Sequence, residues 1–382
     1  MAEPQRRTGA DACPGALDTH PAADGGLARV RVPGGLLRPA QLRAVAAAAA
    51  DLGTPVLELT SRANLQVRGL GPGGAVELGE RLAGIGLLPS PTHEKVRNIM
   101  ASPLGGQRWV AGVDAALCAD PALAALPGRF LITLDDGRGD VAWAGADVAA
   151  LPLGDRVAIL LGGADHGVRV PADQVVPAVI AAARAFLDVR DGQWRVRELG
   201  ADVAVIAERL GAGPERVPRG VPAAAGPIGP VVFADGDPGF GVAVPLGRIT
   251  QDQAEALAAT GDVVLTPWRG AVARGGGAGL AGVGLITSPD DPGLGVTACT
   301  GRPGCAKAHA DVQAAARLVR VGGRAVHWSG CDRRCGRPAG DVLDVVAAPG
   351  GGYLVGAESI SAAVGEDIGQ SVVEAVTRGR KQ

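Results

Sequence analysis

Two short runs, "LARVRVP" and "GFGVAVP", have the apolar density of strands. Behind each comes an Ala-rich stretch that reads as a helix, and then a second short apolar run, "VLELTSR" and "VVLTPWR". Strand, helix and strand in that order predict a small α+β sandwich in both places. After the first, "RFLITLDDG", "VAILLGG" and "GVRVP" predict strands. "ADQVVPAVIAAARAFLDV" predicts a helix, with apolar residues near i, i+3, i+4 and i+7. After the second, "AGVGLIT", "RAVHWS" and "DVLDVVAA" predict strands. From Ala306, "AKAHADVQAAARLVR" sets Val312, Ala315, Ala316 and Val319 on one helix face, with Cys305 at the helix N-terminus.

The two sandwich-like stretches match each other. "VPGGLLRPAQLRAVA" starts at Val32 and "VPLGRITQDQAEALA" at Val244; each has Val-Pro, a Gly, an aliphatic residue, and a Gln eight residues after the Pro, Gln41 and Gln253. Each then reaches a strand ending in Thr with an Arg close behind, Arg62 and Arg269. Residues 211–230, rich in Gly and Pro, read as a linker between two related halves.

At 382 residues, with 47% apolar and 20% charged residues, the chain has the composition of a globular protein with two or more domains. Gly 60, Pro 28 and three lysines against many arginines dilute the turn signal of any single Gly or Pro. The net charge of −2, the absence of a basic block and the 3% aromatic content exclude a nucleic-acid footprint. The Arg pair near the start is followed by no apolar stretch, and no run reaches the ~18 apolar residues of a membrane span. A cytoplasmic chain with reduced thiols is expected, where clustered cysteines hold metal or do chemistry.

Four of the six cysteines form a C-x5-C pair, Cys299 and Cys305, and a C-x3-C pair, Cys331 and Cys335. Zinc usually takes shorter knuckles. A 4Fe-4S cluster tolerates varied spacing and benefits from glycines that let backbone N–H groups approach sulfur. A site without metal is the third option. Cys118, in "DAALCADPAL", reads as a small packing residue.

"TACTGRPGCAKA" with "SGCDRRCGRP" resembles the cluster motif of the nitrite and sulfite reductase family. There, paired cysteines of this spacing hold a 4Fe-4S cluster beside a siroheme. The resemblance implies an internally duplicated α+β (α/β) fold, each half a ferredoxin-like subdomain plus a larger α/β subdomain. The divisions expected are an N-terminal extension 1–27, ferredoxin-like subdomains 28–105 and 231–280, and α/β subdomains 106–210 and 281–382, with the linker 211–230 between the halves. It also implies that Cys335 is the sulfur nearest the tetrapyrrole. "ELTSRANLQVRG" and "VRNIMASP" are similar to family segments that face the macrocycle, pointing to Arg62, Asn64 and Gln66 and to Arg97 and Asn98. Such arginines suit a ligand edged with carboxylates. Arg68 and Arg81 read as solvated charges.

One family feature is altered. Sulfite reductases bracket a Phe after Leu-Pro with two basic residues; "ALPGRFLITLDDG" has Arg129 before Phe130 and Leu131 after it. With one basic group missing and the other an arginine, a poor acid, the site is ill equipped for proton-consuming reduction of a small oxyanion. In this, and in the Cys-Pro-Gly opening "DACPGAL", the chain resembles a second branch of the family, which acts on a corrin precursor in oxygen-dependent cobalamin synthesis. That resemblance implies precorrin-3A as a tetrapyrrole substrate, hydroxylated with O2 at meso carbon C20 as a ring A acetate closes a γ-lactone. Electrons would come from an external donor, NAD(P)H via a reductase or ferredoxin, through the cluster; a mononuclear iron would activate O2, or the iron of a bound siroheme. None of the five histidines, His20, His93, His166, His309 and His327, forms a recognisable iron-ligand set with a nearby carboxylate; His93 and His166 read as loop or surface residues. The other readings are a siroheme-dependent nitrite or sulfite reductase, and a non-enzymatic protein using the cluster or a zinc structurally.

Overall fold

The computed structural model describes residues 11, 13–319, 325–338, 340–356, 358–360 and 374. The first half runs through β1 (His20–Ala22), β2 (Gly25–Val30), β3 (Leu36–Leu37), α1 (Pro39–Leu52), β4 (Val56–Leu59), β5 (Leu65–Leu70) and α2 (Gly74–Gly84). It continues with β6 (Ile99–Ala101), α3 (Val110–Ala119), β7 (Ile132–Leu134), β8 (Val148–Leu153), β9 (Arg156–Leu161), β10 (Ala164–Pro171), α4 (Val175–Val189) and α5 (Val203–Arg209). The second half repeats the order: β11 (Gly229–Val232), β12 (Pro238–Ala243), β13 (Arg248–Thr250), α6 (Gln251–Ala259), β14 (Val263–Leu265) and β15 (Gly270–Arg274). Then come β16 (Val296–Ala298), α7 (Val312–Arg317), β17 (Val326–Ser329), β18 (Leu343–Ala347), β19 (Tyr353–Val355) and β20 (Glu358–Ile360).

The fold is α+β and internally duplicated. One antiparallel sheet has the order β1-β2-β5-β4-β13, and its counterpart β11-β12-β15-β14-β3. Each therefore takes its last strand from the other half: Leu37 pairs with Val263, and Ile249 pairs with Leu57. α1 and α6 pack on each other over one shared core that joins Val30, Leu42, Val45 and Leu57 to Val242, Leu257 and Leu265. Burying each such side chain contributes about 1.5–3 kcal/mol.

The matched glutamines have a physical explanation. Gln41 Oε1 accepts the Arg38 N–H at 3.0 Å and Gln253 Oε1 accepts the Thr250 N–H at 3.0 Å, each closing the first turn of its helix. Their Nε2 groups donate outward, to Ile85 O at 2.9 Å and Val283 O at 3.1 Å, tying each helix to a distant loop.

The matched arginines are offset by one position. In the first copy the Ala63 N–H donates to Thr60 O, with φ 56° at Ala63; in the second the Arg269 N–H donates to Thr266 O, with φ 56° at Arg269. Arg269 thus corresponds to Ala63, and Trp268 to Arg62.

The other two sheets, β10-β9-β8-β7-β6 and β16-β17-β18-β19-β20, each have three parallel strands followed by antiparallel ones. The cysteine loops leave the C-terminal ends of the adjacent parallel strands β16 and β17, the usual place for a ligand in such sheets.

Two predicted elements differ. "AGVGLIT" is not a strand: Ala281–Val283 is a 3-10 turn, Gly284 has φ 80°, and only Ile286 bridges to Ala243. The helix expected from Cys305 begins at Val312, where Asp311 accepts the N–H groups of Gln313 and Ala314. Upstream, backbone groups bond within and between the cysteine loops. Among the described residues no helix is long and apolar enough to cross a membrane.

Candidate functional site

The two cysteine loops are bound to each other before any metal is considered. The Cys299 N–H donates to Trp328 O at 2.8 Å and the His309 N–H to Gly330 O at 2.8 Å. The Gly330 N–H donates to Cys299 Sγ at 3.1 Å. A side chain at Gly330 would bring its Cβ to 2.6 Å from that of Ala308, so glycine permits this approach. Burial raises the Cys299 thiol pKa, the N–H groups of Gly330 and Gly301 pull it down, and Cys335 and Cys305 push it up again, which puts these three thiols in one neighbourhood. Cys331 directly follows Gly330. Because Cys305 lies in a turn well before α7, its helix dipole plays no part; loop N–H groups are the donors to sulfur here.

No three of these sulfurs lie within 4.8 Å of one another among the described residues. The N–H donor to sulfur is the kind of contact that a metal-thiolate centre uses.

Beside these loops lies a cavity of about 310 Å³. Cys299, Thr300, Cys335 and Gly336 of the cysteine loops line it together with Thr60, Ser61 and Gln66 of the first half, and so do Glu58, Arg29, Arg248 and Arg269. A second cavity of about 340 Å³ shares Arg29, Thr60 and Ser61 with it and adds Cys13, Arg62, Asn64, Arg129, Arg195 and Arg197. Together they form one arginine-lined cleft.

These guanidiniums are crowded, and two of them meet a carboxylate: Arg248 faces Glu58 at 4.0 Å and Arg195 pairs with Asp147 at 2.7 Å. Burial lowers the pKa of Arg31 to about 9, helped by Arg29 and Arg62, and that of Arg62 to about 10, helped by Arg195 and Arg29. Burial lowers those of Arg29 and Arg269 too. All stay charged at neutral pH. Arg29 Nε, Arg31 Nη1, Arg248 Nε and Arg269 Nη1 are buried with no hydrogen-bond partner. Buried cations with unused donors are the complement of an anion.

The residues expected at the macrocycle separate into two groups. Arg62, Asn64, Gln66 and Arg129 line the cleft. Gln66 accepts from Arg29 Nη2 at 2.6 Å, and the Arg129 guanidinium lies 5.2 Å from the Trp194 ring. Asn64 is also scaffold, accepting the Val32 N–H at 2.9 Å and donating to Asn98. Arg97 and Asn98 are not on the cleft. Arg97 is 2% exposed and places both arms of its fork on Asp114 at 2.7 Å and a third donor on Leu87 O. Asn98 donates to Gly128 O at 2.6 Å and so holds the loop that carries Arg129.

Several other residues depart from expectation. Arg68 is not solvated: it is 6% exposed, forks onto Asp24 at 3.0 Å and donates to Gly304 O at 2.7 Å, tying the first half to the Cys299–Cys305 loop. Arg81 is on the surface as expected, paired with Asp51 and Glu77. His93 is buried and reaches Asp120 O. His327 is fully buried, and burial lowers its pKa to about 4, so it is neutral. A carbonyl oxygen only accepts, so its Nε2–H donates to Cys335 O at 3.2 Å, while Nδ1 lies 2.9 Å from the Thr297 hydroxyl, which also reaches Val326 O. Cys13 stands in the cleft because Glu94 accepts the N–H groups of Ala16, Leu17 and Asp18 and docks the opening segment. Arg29, Arg195, Arg197 and Arg248 escaped the motif reading, and Arg269 entered it only as the repeat's partner of Arg62. Of the first four, Arg29 alone left a signal, as half of an alternating Arg29–Arg31 pair on one strand face.

Comparison with known proteins fits this geometry. Residues 20–85 match the sequence model of the nitrite/sulfite reductase ferredoxin-like half domain. The chain is 30% identical to the ferredoxin–nitrite reductase of Synechococcus elongatus, over 82% of this chain and 74% of that protein. The chain belongs to the nitrite/sulfite reductase family. Its family relatives include the precorrin-3B synthase of a Sinorhizobium species, 27% identical over 90% of this chain and 82% of that one. The NirA protein of Mycobacterium tuberculosis has the same fold, with a TM-score of 0.66 at 20% identity, covering 98% of this chain and 84% of that one.

In this family member the altered segment is split by packing. Phe130 is buried against Phe186, with ring centroids 5.2 Å apart. Leu131 is 4% exposed in a cluster with Met100, Val141 and Trp143, its N–H bonded to Asp147. Of the three, only Arg129 reaches the cleft.

Proposed function

We propose that this chain is a precorrin-3B synthase. Precorrin-3A takes the cleft as substrate and is hydroxylated at C20 with one atom of O2, while its ring A acetate closes the γ-lactone. The other oxygen leaves as water, with an electron pair and protons drawn from NAD(P)H through a reductase, or from a ferredoxin. When bound, the cluster supplies stepwise electron transfer, and a mononuclear iron or a siroheme iron supplies O2 activation.

The observation that carries the reading is the set of arginines that line the cleft, Arg29, Arg62, Arg129, Arg197 and Arg269 among them, with Arg29 Nε and Arg269 Nη1 buried without a hydrogen-bond partner. A macrocycle edged with acetates and propionates matches many cations at once; a small oxyanion cannot. Cys299, Cys305, Cys331 and Cys335 hold the cluster, with the Gly330 N–H stabilising the Cys299 thiolate. Arg62 and Arg129, which line the cleft, bind and orient the macrocycle. Leu131, buried where sulfite reductases have a second basic group, provides no proton donor.

Cluster-loaded protein purified without air, given precorrin-3A, O2 and a reductant, should yield a product with one added oxygen. No such product, while an authentic synthase forms it in parallel, refutes the proposal. The 30% identity to a ferredoxin–nitrite reductase favours a second reading, a siroheme-dependent nitrite or sulfite reductase. Stoichiometric siroheme bands with nitrite or sulfite turnover would establish that instead. Cys335→Ser should abolish iron and acid-labile sulfide, whereas Cys118→Ser, at a half-buried position packed on the first-half core, should retain both.

A further inference from the structure

Arg269 stands where the cleft meets the Cys335 loop. Its Nη2 donates to Gly336 O at 2.9 Å. Its Nη1 is buried without a partner, and the residue lines the same cavity as Cys299 and Cys335.

Three features hold it there. The backbone has φ 56°, a left-handed conformation that costs a non-glycine residue on the order of 1 kcal/mol and persists only where its surroundings enforce it. Gly247 and Gly336 clear space for the side chain: a Cβ on Gly247 would lie 2.8 Å from Arg269 Cδ, and one on Gly336 2.8 Å from Nη2. The carboxylate whose field reaches it, Glu58, is engaged elsewhere, accepting from Gln66 at 3.2 Å and facing Arg248 at 4.0 Å. His327 holds the neighbouring carbonyl, that of Cys335, so two consecutive carbonyls of the cysteine turn are fixed by side chains.

We infer that Arg269 bridges the cleft and the cluster: the free arm of its fork takes a carboxylate of the bound tetrapyrrole while the other arm holds the Gly336 carbonyl. Occupancy of the cleft is then transmitted to the position of Cys335. This rests on the reading of the cleft as a tetrapyrrole site, and it assigns a binding and positioning role to a residue outside the family motifs. The fork geometry is essential, because a lysine keeps the charge but cannot reach two partners in fixed directions.

The test uses the full chain with a reconstituted cluster and uroporphyrin III as probe. Binding is read from porphyrin fluorescence, and the dithionite-reduced cluster from its electron paramagnetic resonance spectrum. In the unsubstituted protein, porphyrin should bind and shift the cluster signal. Arg269→Gln should retain iron and sulfide, bind porphyrin about tenfold more weakly and lose the shift. Arg269→Lys should bind nearly as well as the unsubstituted protein and also lose the shift. Unchanged affinity and an intact shift in Arg269→Gln would overturn the inference alone. If that variant does not fold, a retained shift in Arg269→Lys overturns it. No porphyrin binding by the unsubstituted protein would sink the tetrapyrrole reading and this inference together.

Discussion

Arg97 is 2% exposed with both arms of its fork on Asp114, whereas half-buried Arg62 has Arg195 first among its charged neighbours, followed by Cys13, Arg29 and Asp147. Arg97→Ala should therefore destabilise the fold by about 3 kcal/mol, since it strands a partly buried carboxylate, as measured by urea unfolding. Arg62→Ala should leave stability nearly unchanged and weaken binding of a carboxylated tetrapyrrole. Equal losses of stability in the two variants would contradict this division. A similar motif match preceded both residues; the partner that separates them cannot be read from their own neighbours in sequence.

Asp140 adds a pH dependence. Burial pushes its carboxyl up to about 6, with the Ser102 hydroxyl opposing and Asp135 and Asp136 adding to the rise. An acid with a higher pKa folded than unfolded holds its proton more tightly in the folded state. Its contribution is complete below about pH 3.9 and is lost as pH rises towards 6. Asp140→Asn should raise the melting temperature at pH 8 relative to the parent and reduce the fall between pH 5 and pH 8. An identical fall in both proteins would sink the assignment.

At the scale of elements, helix starts depend on a few side chains. Gln253 caps α6 and also tethers it to Val283, so Gln253→Ala should cost about 1–2 kcal/mol in chemical unfolding. A loss below a few tenths would show that the tether carries nothing. The sequence showed Gln41 and Gln253 only as matched positions of the repeat; the caps they form are why they match. The start of α7 was misread for the opposite reason. "AKAHA" is rich in helix formers, but its backbone is engaged by the cysteine loops: the Ala308 N–H donates to Cys305 O and the His309 N–H to Gly330 O. Tertiary hydrogen bonds prevailed over propensity, and the helix waited for the Asp311 cap.

Across the whole molecule, each half completes the other's sheet. β13 covers the edge of β4, and β3 covers the edge of β14. Residues 1–228 expressed alone would expose the β4 edge and the α1 face that α6 covers, and should be aggregated or unfolded, while co-expression with residues 229–382 should restore soluble protein. A stable, monomeric first half by light scattering would refute this. The duplication itself was visible in the paired Val-Pro and Gln positions, but the exchange of strands was not, because two-residue β3 has no pattern of its own. The four cysteines and their spacing, the repeat, and most strands and helices could be read along the chain, since each is encoded by residues close together in it. Which arginines line the cleft was settled by folding. It set Arg97 on Asp114, 17 residues away, Arg68 on Gly304, 236 residues away, and Arg269 beside Cys335 with a free arm. A guanidinium's role follows from the charges and carbonyls that folding brings within reach of it, and those partners lie too far along the chain for local pattern to specify.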